Sequence, residues 1–221
     1  MPYLRNWKSD KLFNLSKVYQ DESISNESNL LQDGVRKARI AALLEPNNTT
    51  KKENFIKLLF RMEPAEALLM WSDSLSNMQT PTDKKLELVR KCLTTLRNIN
   101  LKDSEKIIAG NIAIKHLNVL EKNVNWFNNP DFALLSAEVL AQIGSAEKSK
   151  SIIQESVAKH PTHAKSIFFL TRLIVHLKDR KNVKSMGRTL ANLSTRRNKT
   201  GKEAIRYMTL LHLLQPLSKG S

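Results

Sequence analysis

The stretch of sequence that decides the fold is Asn129–Pro161, NPDFALLSAEVLAQIGSAEKSKSIIQESVAKHP. Apolar residues recur at helical spacing in its first half, 130–143, and again in its second half, 147–159. A Gly-Ser pair between the two halves is typical of a turn. Pro130 fits the first turn of a helix, where its missing N–H would have no partner anyway. The stretch therefore predicts two helices that pack side by side.

Small and large side chains follow a regular order along both helices of this stretch. Small residues let two antiparallel helices approach closely, and the large residues between them fill the gap. The pattern comprises Ala137, Leu140, Gly144 at the turn, Ser149, Ile153, Ser156 and the closing Pro161. It resembles a tetratricopeptide repeat. The resemblance implies a right-handed superhelix of antiparallel helical hairpins, and a scaffold that holds a peptide or a partner helix in a concave groove.

Weaker forms of the pattern extend the resemblance to about half of the chain. Residues 29–80 contain degenerate repeats, and the best match continues over 129–195. Between them, 81–128 keeps the helical period but loses the small and large signature, which predicts a divergent helical pair. Residues 199–217 predict a C-terminal capping helix. The sequence thus predicts a single all-α helical-repeat domain, an α-α solenoid of about eleven helices over 1–221.

Local signals set several of the predicted helix boundaries. One signal of a helix start is proline at the first helical position. Another is a capping box, in which Ser or Thr is followed by Glu three residues later. The first helix is predicted from the apolar spacing that begins at Leu12, and the third from Glu53. Other starts are predicted at Pro64, at Pro81 with Thr80 as the N-cap, at Pro161, and at the Thr200 and Glu203 pair.

The composition favours helices and a reducing compartment. Six glycines and seven prolines in 221 residues are too few for the turns of an all-β chain. No apolar run reaches the roughly 18 residues that a transmembrane helix needs, and no signal peptide is visible. We therefore expect a cytoplasmic protein, or alternatively a soluble domain of a larger membrane-anchored protein.

The positive charge is concentrated in the last third of the chain. The net charge is +15, and residues 147–221 hold 16 Lys and Arg against 4 Asp and Glu. Such asymmetry points to an anionic partner. Positions 181, 184 and 188 are spaced by three and four residues, so they share one helical face. The candidate binding residues are Lys178, Arg180, Lys181, Lys184, Arg188, Arg196, Arg197, Lys199, Lys202 and Arg206.

Residues typical of catalysis or metal binding form no recognisable motif. The sequence contains no glycine-rich phosphate loop, no Gly-x-Ser-x-Gly and no His-Glu-x-x-His. His160 and His163 are expected to be exposed turn residues, because two imidazoles without a nearby carboxylate or thiol make a poor zinc site. Cys92 and Trp71 lie among apolar residues, which favours core packing for both. We expect no catalytic residue, no cofactor and no metal.

Three interpretations of the basic residues stay open at this point. They form a solvated face, they contact an acidic protein or peptide, or they bind nucleic acid by neutralising phosphates. No aromatic residues alternate with the cations, as stacking of single-stranded bases would need. A non-enzymatic interaction scaffold is the leading hypothesis, and a nucleic-acid-binding helical repeat is the alternative. The sequence does not indicate an oligomeric state.

Overall fold

The computed structural model describes residues 2–20, 28–76, 81–122, 128–196 and 198–214. Over these residues the chain forms eleven α-helices with short 3-10 segments, and none of them lies in a β-strand. The prediction of an all-α protein with about eleven helices is therefore confirmed. The helices divide into two compact units, an N-terminal unit Met1–Ile112 and a C-terminal unit Ala113–Ser221.

Five complete helices and the first half of a sixth make up the N-terminal unit. Helices α2, α3, α4 and α5 each pack against the helix before them in the chain. Their buried apolar side chains include Phe55, Leu58 and Leu68. The helix bounds are α1 Pro2–Lys17, followed by the 3-10 segment Val18–Gln20, α2 Ser28–Leu44, α3 Thr49–Leu59, α4 Pro64–Ser74, α5 Thr82–Arg97 and α6 Asp103–Glu121.

Helix α1 is attached to this unit through polar side chains. The hydroxyl of Ser9 donates to the carbonyl oxygen of Ala41 in α2 at 3.0 Å. The amide of Asn54 in α3 donates to the hydroxyl of Ser16 at 2.7 Å. Both serines are fully buried. Because buried hydroxyls are stable only when hydrogen-bonded, these contacts fix where α1 lies on α2 and α3.

Helices α7 to α11 of the C-terminal unit pack against one another. Helix α7 contacts α8 and α9, and α9 in turn contacts α10 and α11. Helix α7 begins at Pro130 and α9 begins at Ala164, 34 residues later, and α11 begins 35 residues after α9. The bounds are α7 Pro130–Gln142, α8 Ala146–Lys159, α9 Ala164–His176, the 3-10 segment Arg180–Asn182, α10 Val183–Ser194 and α11 Lys199–His212.

The small and large residues of the pattern on α7 and α8 are buried. Ala137 on α7 and Ser149, Ile153 and Ser156 on α8 are almost fully buried, and Leu140 is buried as well. The hydroxyl of Ser149 donates to the carbonyl oxygen of Ala137 at 2.6 Å. A side chain this small lets the backbone of α7 come within hydrogen-bond distance of α8.

Helices α7 and α9 end in the same type of turn, in which one residue adopts a left-handed conformation. Gly144 has a φ of 85° and Lys178 has a φ of 52°. After α7, the N–H of Ser145 donates to the carbonyl oxygen of Leu140 at 2.8 Å. After α9, the N–H of Asp179 donates to the carbonyl oxygen of Ile174 at 2.9 Å. These are Schellman motifs, whose left-handed position favours glycine because a Cβ is strained there.

The strain at Lys178 leads to a stability prediction. Replacing Lys178 by glycine should raise the free energy of unfolding by about 1 kcal/mol, since glycine adopts this φ without a clash. Replacing Gly144 by alanine should lower it by a similar amount. Urea denaturation followed by circular dichroism measures both changes. Lys178→Ala is the control for the lost charge, and a gain there equal to that of glycine would contradict the conformational explanation.

Several predicted boundaries are wrong. Helix α1 begins at Pro2 rather than Leu12, and α3 begins at Thr49 rather than Glu53. Pro81 is the N-cap of α5 and not its first residue, while Thr80 lies outside the described residues. Pro161 lies in a turn before α9. The predicted capping box is absent, because Asn198 is the N-cap of α11 and its side chain accepts from the N–H of Gly201.

The predicted starts at Pro64 and Pro130 are confirmed. Each proline is the first residue of its helix, and the side chain of Asn129 caps α7 by accepting from the N–H groups of Asp131 and Phe132.

In the described part of the chain, no helix combines the length and the apolar character that crossing a membrane requires.

Candidate functional site

The predicted basic residues lie in the turn after α9, in the 3-10 segment Arg180–Asn182, on α10, in the turn after α10, and on α11. We call the nine described members the basic face, and the tenth, Arg197, lies outside the described residues. All nine are exposed. The basic face consists of Lys178, Arg180, Lys181, Lys184, Arg188, Arg196, Lys199, Lys202 and Arg206.

Two triplets within the basic face have the same spacing. One is formed by positions 181, 184 and 188, and the other by positions 199, 202 and 206. Each triplet lies opposite the buried side of its helix, which is marked by Met186 and Leu190 on α10 and by Ala204 and Leu211 on α11. The structure therefore places three cations on the outer side of α11, and two on the outer side of α10 with Lys181 in the 3-10 segment directly before it.

The cations of the basic face have no ion-pair partner among the described residues. Two acids are adjacent to these cations in sequence: Glu203 on α11 forms no ion pair with them, and Asp179 is occupied elsewhere. Its carboxylate accepts from the amide of Asn182 at 2.7 Å and from the ammonium of Lys150 at 3.0 Å. The hydrogen bond from Asn182, together with that from Lys150, lowers the pKa of Asp179. Asp179 thus stabilises the turn before α10 and leaves the positive charge of the basic face uncompensated.

Among the described residues from Lys178 onward, Tyr207 is the one Phe, Trp or Tyr. Its ring is half-buried and stacks on the ring of Phe168 in α9, with 4.7 Å between centroids and 9° between planes. A ring that is packed in this way cannot stack with a nucleic-acid base. The basic face therefore offers charge without a stacking surface.

A groove in the N-terminal unit combines aromatic and charged side chains. It lies between α3 and α5, with one side chain from α4, and has a volume of about 490 Å³. We call it the aromatic–basic groove. Its lining comprises Glu53, Ile56 and Lys57 from α3, the C-cap Phe60 of α3 and the following Arg61, Trp71 from α4, and Lys84, Glu87 and Lys91 from α5.

Cations outnumber acids in this groove by four to two. The ammonium of Lys84 pairs with the carboxylate of Glu53 at 2.8 Å, and this hydrogen bond raises the pKa of Lys84. The ammonium of Lys91 lies 5.7 Å from the centroid of the Phe60 ring. Lys57 is exposed and has no ion-pair partner in the described part of the chain. The groove therefore has an excess of positive charge next to aromatic surface.

Trp71 meets the expectation of core packing only in part: it packs against the buried cluster of the N-terminal unit but stays partly exposed. Its spacing relative to Leu68 and Leu75 favours core packing, and both of those leucines are indeed buried. The indole itself is half-buried and lines the aromatic–basic groove. Tryptophan that is partly exposed in a groove is a common anchor for a binding partner, because its ring offers a large, rigid contact area. Trp126 lies outside the described residues.

A second groove, in the C-terminal unit, is smaller and has no positive excess. It lies between α6, α7 and α8 and has a volume of about 330 Å³. Its apolar lining includes Leu117, Leu140 and Ile152, and its charged lining is one lysine, Lys148, with two glutamates. These charges do not favour an acidic partner, so this groove is the weaker candidate.

The other side chains singled out in the sequence, Cys92, His160 and His163, are buried or half-buried. Cys92 is buried as predicted, and burial raises the pKa of its thiol to about 12, which leaves it protonated and unreactive. His160 and His163 are half-buried, so the expectation of exposed histidines is wrong. A ring nitrogen of His163 lies 2.7 Å from the hydroxyl of Ser166 at the start of α9. No group of His, Cys, Asp and Glu side chains among the described residues could hold a metal ion.

Comparison with known proteins gives no relative from which a function could be transferred: neither a protein-family model nor a curated protein sequence matches the chain.

Proposed function

We propose that this chain is a non-catalytic interaction scaffold that binds an acidic peptide in the aromatic–basic groove. The single observation behind the proposal is the groove itself, in which Phe60 and Trp71 lie beside a net excess of lysine and arginine. Aromatic rings provide apolar contact area, and cations provide charge-assisted hydrogen bonds to carboxylates. A peptide in which acidic and aromatic residues alternate meets both requirements.

The proposed architecture is a right-handed superhelix of tetratricopeptide-like hairpins. The 34-residue distance between the starts of α7 and α9 equals the length of that repeat. The contacts of α9 with both α7 and α11 are those that successive first helices make in a stack of hairpins. Grooves between neighbouring helices are the surfaces that such stacks offer to peptides, so the architecture supports a binding role.

Fluorescence anisotropy with a defined peptide tests the proposal. The probe is a fluorescein-labelled peptide of alternating glutamate and phenylalanine, and the same peptide with lysine for glutamate is the control ligand. We expect the acidic probe to bind and the basic one not to. The double variant Lys57→Glu/Lys91→Glu should raise the Kd about thirtyfold, because two charge-assisted contacts become repulsive.

The matched control is Lys181→Glu/Lys184→Glu, which changes the net charge equally but alters only the basic face. It should leave the Kd within a few fold of the unmodified protein. An equal loss in both variants would show unspecific attraction and contradict a site in the groove. Loss in the control alone would assign binding to the basic face. Competition by duplex DNA at increasing salt would then test the alternative function, nucleic-acid binding.

A further inference from the structure

Helix α1 buries two serines and exposes several large apolar side chains. Ser9 and Ser16 are 0% exposed, whereas Leu4 is 59% exposed and Trp7 is 57% exposed. Leu15 on the same helix is also exposed. A helix on the surface of a protein normally has the opposite distribution, with apolar residues toward the core. The outer side of α1 therefore differs from an ordinary solvated surface.

The exposed apolar residues of α1 form one stripe. Leu4, Trp7 and Leu15 are separated by three and eight residues, and Val18 in the following 3-10 segment continues the stripe. At 100° per residue these positions lie within a narrow sector opposite Ser9 and Ser16. We call this sector the α1 stripe. It is a ridge along a single helix, and it forms no deep groove for a partner side chain.

Positive charge surrounds the α1 stripe. Arg5, Lys8, Lys11 and Lys17 are all exposed. The ammonium of Lys11 lies 5.3 Å from the centroid of the Trp7 ring. The acid on the helix, Asp10, pairs with the ammonium of Lys51 at 2.5 Å. At 100° per residue Lys11 lies within the sector of the α1 stripe and the other cations lie beside it, and α1 itself does not neutralise their charge.

We propose that α1 lies on the surface of an anionic phospholipid membrane, with the α1 stripe inserted at the level of the headgroups. Leucine and tryptophan enter the boundary between headgroups and acyl chains, and the lysines contact anionic headgroups. Lys11 reaches the headgroups because a long lysine stem can follow apolar surface while its ammonium stays in water. A bilayer also accepts a convex ridge without needing a complementary shape.

Charge also argues against a second copy of this chain as the occupant. Packing two α1 stripes against each other would bring the same four cations of both copies together. Like charges at such a contact are repulsive. The proposed membrane contact uses α1 alone, so it is independent of the peptide site in the aromatic–basic groove.

Co-sedimentation of the full chain with unilamellar vesicles tests the proposal. Binding is expected for equimolar phosphatidylserine and phosphatidylcholine, and not for phosphatidylcholine alone. The triple variant Leu4→Ser/Trp7→Ser/Leu15→Ser should reduce the partition coefficient about tenfold or more, since it removes the inserted side chains but keeps every cation. Because all three residues are exposed, circular dichroism should show the same helix content.

Two control variants separate the α1 stripe from general attraction. Leu43→Ser/Leu69→Ser/Ile99→Ser removes three other exposed apolar residues and should bind like the unmodified protein. Lys184→Glu/Arg188→Glu reduces the charge of the basic face and should bind at least half as well. In a Trp71→Phe/Trp126→Phe background, brominated lipid should quench Trp7 fluorescence.

Three outcomes would overturn the proposal. The first is no binding to anionic vesicles, or equal binding to neutral ones. The second is vesicle binding that depends on the basic face and is unaffected by the triple variant. The third is an α1 stripe that is needed for binding an acidic helical peptide but not for binding vesicles, which would make the occupant a protein.

Discussion

Replacing Gly201 by alanine should lower the free energy of unfolding by about 3 kcal/mol, the upper end of the usual cost of overpacking. A Cβ at this position would lie 1.9 Å from the carbonyl oxygen of Arg196 and 3.1 Å from that of Ser194. Both atoms belong to the backbone, so they cannot move aside as a flexible side chain could. The added methyl group must therefore displace the start of α11 from the end of α10.

Gly187 in α10 provides the matched control. A Cβ there meets no atom within 4 Å. Alanine at this interior helical position should raise the free energy of unfolding by about 1 kcal/mol, because it has the higher helix propensity. Glycine-to-alanine substitution is thus predicted to lower the free energy of unfolding at position 201 and to raise it at position 187.

Urea denaturation followed by circular dichroism measures both glycine variants. Hydrogen exchange locates the damage, and Gly201→Ala should lose amide protection in 183–212 while 49–97 keeps its protection. A Gly201→Ala protein within a few tenths of a kcal/mol of the parent would contradict the argument. It would show that the turn between α10 and α11 adjusts without loss of packing.

The sequence predicts helices best where an apolar stripe and a capping residue agree. Pro130 and the stripe that follows it define α7 to within a residue, and Gly144 ends the helix where the left-handed turn requires it. Proline alone is ambiguous, since Pro81 is an N-cap and Pro161 belongs to a turn. Which position a proline occupies depends on backbone angles that its neighbours in space determine.

The first half of α1 could not be predicted from periodicity. Among the described side chains of this half, the buried one is Ser9, whose partner Ala41 is 32 residues away. Hydrophobic spacing detects apolar burial only, so a helix attached by hydrogen bonds is not recognised. The sequence-based start at Leu12 misses ten residues for this reason.

The aromatic–basic groove was also missed, whereas the basic face was found. Residues of the basic face lie close together in sequence, on one turn and two adjoining helices. The groove instead combines Phe60, Trp71 and Lys91, which come from the C-cap of α3, from α4 and from α5. Spacing along one helix assigns Trp71 to the core because Leu68 and Leu75 share its side. Only the packing of α3 and α5 around the indole shows the groove.

Replacing Lys51 by alanine should detach α1 from the N-terminal unit. The ammonium of Lys51 donates to the hydroxyl of Ser9 at 2.9 Å and to the carboxylates of Asp10 at 2.5 Å and Glu45 at 2.6 Å. Lys51 is 3% exposed, so its contacts with Ser9 and Asp10 connect α1 to α3 through a buried ammonium. We expect the free energy of unfolding to fall by about 3 kcal/mol, the lower end for removing one partner of a buried ion pair, since Asp10 stays largely hydrated.

Lys84→Ala is the matched control for this change. The ion pair of Lys84 with Glu53 is similarly short, but both side chains are 52% exposed. Its loss should cost at most about 0.5 kcal/mol, because water replaces exposed ionic contacts at little cost. Hydrogen exchange should show lost protection over residues 2–17 in Lys51→Ala and none in Lys84→Ala. Equal effects of the two variants would contradict the role assigned to burial.

Acid provides an independent test of the same network. Hydrogen bonds from Lys51 and then from Asn48 lower the pKa of Glu45 from its ordinary 4.5 to about 2. Because its pKa is lowered on folding, the ionised carboxylate stabilises the folded state. This contribution is complete above pH 4.5 and is lost as the pH falls from 4.5 toward 2. Protonated Glu45 can no longer pair with Lys51, so the network that holds α1 should weaken over this range in the unmodified protein. In Lys51→Ala the free energy of unfolding should depend less steeply on pH there, and an unchanged slope would show that another carboxylate dominates acid unfolding.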